Sequence, residues 1–498
     1  MISSKSMFRI FSGILAILTV GSVMNACASD SDTSNTDTVT APTETTEVLT
    51  GRDAEKDTLP ADLDFEGRKF TVFVASDSQL FAGPEEETGD IVDDAVLQRN
   101  RAVEERLNID LDYFIDETCR YDTIYQILNK YIMSGDSTLD VFTGHQFGIT
   151  SILIEGGLIN CYDLEYIDFD QPWWNNRYMD ELSIGNNTRY FLVSDFFLFP
   201  LLYTHVVCFN KTMYGQLHSD PEELYDLALN GTWTMDKMAE VARDAYVDIN
   251  NNGKSDIDDR LGFISYMAYA TVDPFMYMSD VEFTPRDKDG NITFNLYDER
   301  CVDLTTSIVE FFHQAGTFHK IASGQSGLVT TAFTEGNAQF VGCYRLSEIV
   351  AFRDMQDDFG LLPYPKLDEK QEHYNCLVSE VAALGAVPTT SLNHDMAGAV
   401  IEALASESYR TVIPAWYEDA LKIKYSRDDK SSQIIDIIHD ASYTDFMFAY
   451  SPKLSNVGML MRDLVNGNNT NYMSYAAKFE NRVLDSLEKI IVAVEEQN

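Results

Sequence analysis

Basic residues are scarce in this sequence. It contains 36 lysines and arginines against 80 aspartates and glutamates, which gives a formal net charge of -44. A surface with this excess of negative charge repels nucleic acids and anionic lipid headgroups. The composition therefore excludes a nucleic-acid partner. It is compatible with a secreted protein and with divalent-cation sites, although solubility is the commonest reason for such acidity.

Cysteine pairs and the short motifs of common enzymes are also missing. The cysteines after Cys27 are widely spaced and form no C-x-x-C pair; they are Cys119, Cys161, Cys208, Cys301, Cys343 and Cys376. This spacing excludes a zinc ribbon and a thioredoxin-like site, and it predicts mostly free thiols. No H-E-x-x-H, P-loop or dinucleotide-binding fingerprint is present. The sequence therefore predicts a protein that is not an enzyme.

Only one long apolar run is present, and it lies at the N-terminus. Residues 8–27 read FRIFSGILAILTVGSVMNAC, and Lys5 and Arg9 supply a short positive region at its start. This order is typical of a secretory signal peptide. Ala26 followed by Cys27 resembles a bacterial lipobox, in which the thiol receives a diacylglyceryl group. An uncleaved membrane anchor and a plain signal peptide with an incidental cysteine are the alternatives.

Large apolar side chains are rare between residues 28 and 66, where Ser, Thr, Asp, Glu and Pro dominate. Such a segment cannot bury enough apolar surface to offset the entropy lost on ordering. We therefore expect a disordered tether between the lipid and a folded body that begins at residue 67. With 498 residues, 45% of them hydrophobic, the chain is long enough for two or three compact units.

Strand and helix patterns alternate at the start of the folded body, with β-rich apolar runs at 69–75, 108–113 and 139–143. This order predicts a parallel sheet, which binds ligands at the carboxyl ends of its strands. The loops after the first and third runs, 76–78 and 143–146, should therefore form the two lips of a cleft.

Two nearly continuous apolar segments, residues 190–210 and 377–387, interrupt this alternation. Each is predicted to cross from one lobe of the protein to another. A second α/β region lies between them, with strands at 338–341 and 359–362, and the rest of the chain after 387 reads as helical.

Several short motifs follow one another along residues 67–498: DVF at 140–142, GHQF at 144–147, FNK at 209–211, GTWTMD at 231–236, FTEGNAQF at 333–340 and FGLLPYP at 359–365. Their order resembles that of extracellular solute-binding protein family 1, the carbohydrate-binding lipoproteins of ABC importers. Each motif alone is weak, and the correct order over this length makes the match specific.

This resemblance implies an α/β, two-lobe periplasmic-binding-protein-like fold of type II, with an interlobe ligand cleft and extra C-terminal helices. Residues 67–200 with 379–430 would form lobe 1, and residues 201–378 with 431–498 would form lobe 2. The protein would be a monomer, lipid-anchored at the outer, extracellular face of the bacterial cytoplasmic membrane. It would capture a mono- or oligosaccharide and deliver it to the ABC permease subunits.

The resemblance also implies ligand contacts, matched one position at a time: Ser76, Asp77, His145 and Gln146 in lobe 1, Tyr203 on the first crossing, Tyr266, Tyr269, Asp273 and Tyr344 in lobe 2, and Trp416. Where the family often has Gly-x-Trp, this chain has Gly342-Cys343-Tyr344, which keeps an aromatic ring with less stacking area. His145 has an equal alternative role as a loop cap. Trp173, Trp174 and Trp233 are better explained as packing residues.

Residues 248–259 have the spacing of a calcium loop. Oxygen-bearing side chains occupy loop positions 1, 3, 5, 9 and 12, and glycine occupies position 6. The predicted ligands are Asp248, Asn250, Asn252, the carbonyl of Lys254, Asp256 and Asp259. Asp259 replaces the usual glutamate, which weakens binding or admits a water molecule. We predict structural Ca²⁺ here; an acidic Asn-Gly turn is the alternative.

The main rival function is a lipid-anchored extracellular glycoside hydrolase. Such an enzyme needs only two carboxylates, and among 80 acidic residues no pair can be singled out. A glycan-binding surface protein is a further possibility. Hydrolysis of oligosaccharides would distinguish the enzyme from a receptor, and closure of a cleft would distinguish the receptor from a surface adhesin.

Overall fold

A computed structural model describes residues 51–76, 79–120, 122–198, 202–266, 269–321, 323–416 and 429–497. The predicted lipidation residue Cys27, most of the predicted tether and the predicted ligand residue Asp77 lie outside these ranges. No helix within them is both long enough and apolar enough to cross a membrane.

The strands are, in chain order, β1 (Arg68–Ala75), β2 (Ile109–Asp116), β3 (Val141–His145), β4 (His205–Asn210), β5 (Leu261–Tyr266), β6 (Thr317–Ile321), β7 (Ala338–Arg345), β8 (Phe359–Leu362), β9 (Cys376–Leu377), β10 (Ala383–Ala386) and β11 (Ser442–Tyr443). They form two sheets and one short pair, β9 with β11.

The α-helices are, in chain order, α1 (Ile91–Leu107), α2 (Ile124–Ser134), α3 (Gln146–Leu153), α4 (Asn176–Leu182), α5 (Lys211–His218), α6 (Glu223–Leu229), α7 (Met235–Ala245), α8 (Tyr269–Met276), α9 (Glu299–His313), α10 (Gly327–Thr334), α11 (His394–Glu407), α12 (Asp429–Asp440), α13 (Phe446–Ala449), α14 (Leu460–Asn466), α15 (Tyr472–Ala476) and α16 (Glu480–Glu495). A π-helical turn, Ser408–Val412, follows α11.

The first sheet has the strand order β10-β3-β1-β2. β1 is parallel to β2 and β3, whereas β10 is antiparallel to β3. Phe70, Val72, Phe73 and Val74 of the central strand β1 are all fully buried. A strand that is covered on both faces needs a continuous apolar run, which is the pattern that predicted it. This sheet with helices α1 to α4 and α11 forms lobe 1.

The second sheet has the strand order β6-β5-β7-β4-β8. β5 is parallel to β6 and β7, and β4 is antiparallel to its neighbours β7 and β8. Phe263 of β5 packs against Phe311 and Phe312 of α9, with ring centroids 5.0 and 5.9 Å away. This sheet with helices α5 to α10, α12, α14 and α15 forms lobe 2.

Residues 51–65 belong to the folded body, not to a tether extending to residue 66 as predicted. Leu59 and Phe65 are 7% and 6% exposed. The Asp57 carboxylate, whose side chain is 1% exposed, lies 2.6 Å from the Arg106 guanidinium of α1. The composition of this segment did not indicate an ordered structure, although two apolar side chains and one buried carboxylate attach it to the folded body.

The C-terminal residues 431–498 were assigned to lobe 2 from the sequence, but the described part of this segment, 431–497, contacts both lobes. α12 packs against α6 and β8 of lobe 2, whereas α13 packs against α3 and α4 of lobe 1. At the start of α16, Glu480 accepts a hydrogen bond from the Tyr297 hydroxyl of lobe 2 at 2.8 Å. Beyond its other end, the Gln497 side-chain amide donates to the Leu153 carbonyl of lobe 1 at 2.9 Å. These residues tie the two lobes together.

Candidate functional site

The chain passes between the lobes along two segments that lie side by side. The first crossing comprises residues 202–204, and the second comprises residues 378–382. The Ser379 N–H of the second donates to the Tyr203 carbonyl of the first at 2.9 Å. Strand ends from both sheets gather around these crossings, and we call this region the interlobe edge.

In lobe 1 the second crossing is fixed to the end of β3. The Gln146 N–H lies 3.2 Å from the Glu380 carbonyl oxygen and 3.1 Å from that of Ala382. The predicted ligand residues His145 and Gln146 are only 3% and 0% exposed. Gln146 Oε1 accepts a hydrogen bond from the Tyr178 hydroxyl. In this conformation both side chains lie below the surface.

Ser76 follows β1 directly and is half-buried. Its hydroxyl donates to the Cys119 carbonyl at 2.8 Å, and its own carbonyl accepts from the Gln79 side-chain amide at 2.7 Å. The lip that begins at Ser76 is thus held to the loop after β2. Asp77, the next predicted contact, lies outside the described residues.

Three of the predicted aromatic contacts, Tyr266, Tyr269 and Tyr344, belong to elements at the carboxyl edge of the second sheet. Tyr266 ends β5 and Tyr269 begins α8, which places both backbones at the carboxyl edge of the second sheet. Tyr344, near the end of β7, is 7% exposed, and its hydroxyl lies 2.7 Å from the Thr330 hydroxyl.

Two further predicted aromatics, Tyr203 and Trp416, are also largely buried. Tyr203 lies on the first crossing and is 8% exposed, and Trp416 is 9% exposed. Trp416 is the last residue described before the gap at 417–428.

Asp273 of α8 is buried in an ion pair with Arg462 of α14. Arg462 Nε donates to Oδ1 at 2.8 Å, and a second guanidinium nitrogen donates to Oδ2. Burial raises the pKa of the Asp273 carboxyl to about 6, while Arg462 lowers it and the charge of Glu380 raises it further. Glu380 of the second crossing thus lies close enough to Asp273 of lobe 2 for its charge to raise that pKa.

Glu380 and Arg462 belong to the interlobe edge but were not predicted from the sequence. Glu380 is the single charged residue in the apolar segment 377–387. A charged residue within a buried crossing is unusual, so the sequence alone could have indicated Glu380. Arg462 stands 189 residues from Asp273 in the chain, so no local pattern indicates that pair.

A cavity of about 830 Å³ is lined by Arg177 of α4 and by residues such as Lys370, His373 and Tyr374 of lobe 2. None of the predicted ligand residues lines it. Ligands of parallel sheets bind at the carboxyl ends of the strands. We therefore take the interlobe edge, and not this cavity, as the candidate site.

The predicted calcium loop follows α7 and turns at Gly253, whose φ is +74°, a conformation that favours glycine. The Asp248 carboxylate accepts from the N–H groups of Asn252 and Gly253 at 3.2 and 2.9 Å. Asp259 is 1% exposed and accepts from the Ile249 N–H at 2.9 Å. The first and last predicted ligands thus bind the loop backbone.

The middle of the loop is closed by amide donors. The side-chain amides of Asn252 and Asn250 donate to Asp256 at 2.6 and 3.2 Å. These hydrogen bonds hold the pKa of the Asp256 carboxyl below its usual value. Among the described residues, no group of three His, Cys, Asp or Glu side chains is placed to hold a metal. A cation here would need the amide oxygens of both asparagines and the Lys254 carbonyl.

Two α/β sheets joined by adjacent crossings define the two-domain periplasmic-binding-protein fold predicted from the sequence. The GacH receptor of Streptomyces glaucescens, solved unliganded and with acarbose, shares this fold with a TM-score of 0.54 and 11% identity, over 85% of this chain and 99% of that one. An ABC-transporter solute-binding protein from Thermotoga lettingae, bound to α-D-tagatose, gives a TM-score of 0.52 and 14% identity, over 86% and 100% of the two chains.

The maltose-maltodextrin binding protein of Alicyclobacillus acidocaldarius is similar to the same extent, with a TM-score of 0.52 and 11% identity over 84% of this chain and 100% of that one. No protein-family model and no curated protein matches the sequence. At these identities the similarity establishes the fold of this chain. The sugars are ligands of the other proteins.

Proposed function

We propose that this chain is the substrate-binding protein of an ABC importer, which captures a mono- or oligosaccharide between its lobes and performs no chemistry. The observation that supports this most is the meeting of both sheets' strand ends at the paired crossings, residues 202–204 and 378–382. A ligand held there contacts both lobes, so binding stabilises the closed arrangement. The structural neighbours with this fold are sugar-binding proteins.

A thermal-shift screen of the purified protein against mono- and oligosaccharides tests this proposal. A sugar present at 100 times its dissociation constant adds about 2.7 kcal/mol of stability, which raises the melting temperature by several degrees. Small-angle scattering should show a more compact particle with the same sugar. Stabilisation by peptides or polyamines alone would refute the sugar assignment. Release of hydrolysis products would favour the glycoside hydrolase, and binding without compaction a glycan-binding surface protein.

The lipid anchor is the second part of the proposal. A receptor that delivers sugar to membrane permease subunits must stay near the outer face of the cytoplasmic membrane. Cys27→Ala should therefore move the protein from the membrane fraction to the medium, because no diacylglyceryl group can be attached. Its affinity for sugar should not change, because Cys27 is not among the predicted ligand contacts. Fractionation and calorimetry check the two parts, and full retention in the membrane would contradict the lipid anchor.

We also propose that the loop at 248–259 binds Ca²⁺ as a structural ion of lobe 2. Adding calcium to the chelated protein should raise the melting temperature by about 5 °C at saturating ion. Asp248→Ala should abolish that rise, since it removes the first ligand. Asp258→Ala, which alters an exposed carboxylate of the same loop outside the predicted set, should retain it. An absence of any calcium-induced rise in the unaltered protein would leave the acidic turn as the explanation.

A further inference from the structure

Glu380 is the carboxylate that the fold places between the lobes. It lies on the second crossing, next to the buried Ser379, and its side chain is partly exposed. Its backbone carbonyl lies 3.2 Å from the Gln146 N–H at the end of β3. The N–H of the preceding residue, Ser379, donates to the Tyr203 carbonyl of the first crossing at 2.9 Å. The carboxylate therefore stands where the two lobes meet, on a backbone fixed by hydrogen bonds.

The carboxylate of Glu380 retains capacity to accept hydrogen bonds. Oε2 accepts from the Ser379 hydroxyl at 3.0 Å. Oε1 has no hydrogen-bond partner within the described part of the chain. An ionised carboxylate accepts up to about four hydrogen bonds. Glu380 can therefore receive hydrogen bonds from a ligand without losing the contact that orients it.

Two arginines of the interlobe edge are already paired with carboxylates. Arg462 is paired with Asp273 through two hydrogen bonds. Arg345, the last residue of β7, is paired with Glu348. Each of these two arginines thus has a carboxylate of its own, and Glu380 adds a further negative charge. An anionic ligand placed here meets repulsion in a partly desolvated site, where charges interact more strongly than in water.

We propose that Glu380 orients the ligand by accepting hydrogen bonds from its hydroxyl or ammonium groups, and that it makes the site selective for neutral or amino sugars against uronic acids. This inference rests on the proposed sugar-binding function and deepens it. Charge-assisted hydrogen bonds from hydroxyl to carboxylate are the stronger kind, which suits a group that fixes orientation. The same charge opposes a ligand carboxylate in that place.

Matched sugar pairs test the proposal, because each pair differs only in a CH₂OH or a carboxylate at C6. The probes are gluco-, manno- and galacto-oligosaccharides, their uronic-acid counterparts, and glucosamine oligomers, titrated calorimetrically into the full folded chain. We expect at least one neutral or amino sugar to bind at least tenfold more tightly than its uronate. Glu380→Gln should weaken the binding of that sugar about tenfold and reduce the preference of the protein for it over its uronate. Glu369→Gln, the same change at an exposed position of lobe 2, should alter neither.

The outcomes separate this inference from the proposed function. Uronates that bind as tightly as the matched neutral sugars would overturn the selectivity. A Glu380→Gln protein with unchanged affinity and preference would overturn the role of this residue, while sugar binding itself would stand. If no sugar of any charge binds to the unaltered protein, the proposed function fails and this inference fails with it. Thermal melting of each variant shows that the fold is retained.

Discussion

Replacing Arg99 with methionine should lower the free energy of unfolding of lobe 1 by about 3–5 kcal/mol. Arg99 lies on α1 and is only 1% exposed. Its guanidinium donates to the carbonyl oxygens of Phe81 and Phe196 and to side-chain oxygens of Asn100, Tyr113 and Ser408. These contacts join α1 to the loop after β1, to β2, to the segment before the first crossing, and to the turn after α11.

The hydrogen-bond partners of Arg99 are all uncharged. Burying its charge is therefore unfavourable, but removing its donors leaves buried acceptors without a partner. Burial lowers the pKa of the Arg99 guanidinium because the charged form is removed from water. Methionine restores most of the volume and removes the charge. It cannot donate, however, so the buried carbonyls of Phe81 and Phe196 would lose a partner, at about 1–3 kcal/mol for each unsatisfied group.

Urea unfolding followed by tryptophan fluorescence measures this effect. Arg101→Met is the matched control, because Arg101 lies on the same helix and is exposed; it should change stability by less than about 0.5 kcal/mol. Under the proposed function, Arg99→Met alone should also lower the affinity for sugar, since Phe81 lies in the loop after β1 that begins with the lip at Ser76. Equal stability of the two variants would show that the buried network contributes little.

Breaking the Asp273–Arg462 pair is the second large effect. Asp273→Ala should destabilise lobe 2 by about 3 kcal/mol, because it leaves a guanidinium that is mostly buried without its carboxylate. The side chain of Arg462 is only 14% exposed in the intact pair. The double variant Asp273→Leu, Arg462→Met replaces the ion pair with uncharged side chains. It should recover much of the lost stability, because neither buried charge then remains.

Glu240→Ala provides the comparison for this pair. Glu240 pairs with Lys237 on the surface of lobe 2, with side chains 55% and 27% exposed. Surface pairs of this kind contribute between about 0.2 and 1 kcal/mol. Denaturant unfolding should therefore show a clearly larger loss of stability for Asp273→Ala than for Glu240→Ala. A double variant as unstable as Asp273→Ala would mean that packing, and not the unpaired charge, causes the loss.

The elements of each lobe could be predicted where local pattern decides the structure. The apolar runs that became β1, β3, β7 and β8 are covered on both faces, so their sequence carries the signal. The two crossings were predicted because their segments are also nearly continuous apolar runs. The order of these elements predicted a parallel α/β sheet, and the family resemblance implied the two-lobe fold class, which the structural neighbours confirm.

The arrangement of the interlobe edge could not be predicted from local pattern. Asp273 was predicted as a ligand contact, yet its partner Arg462 comes from a distant helix. Gln146 was predicted at the lip, where its side chain turns inward to the Tyr178 hydroxyl. Which polar group faces the ligand depends on such tertiary partners. Four of the cysteines after Cys27 are easier to predict: Cys161, Cys208, Cys301 and Cys376 are buried free thiols, as their spacing predicted.

Helix α16 has a consequence for how the lobes can move. It spans 16 residues, about 24 Å of rigid rod, with one end bound to lobe 2 through Tyr297 and the other to lobe 1 through Leu153. A rod attached at both ends fixes the distance between its attachment points. While both hydrogen bonds hold, opening is limited to rotations that keep these two points the same distance apart. Ligand entry would then follow a twisting motion, and pulling the lobes straight apart would first have to detach Gln497.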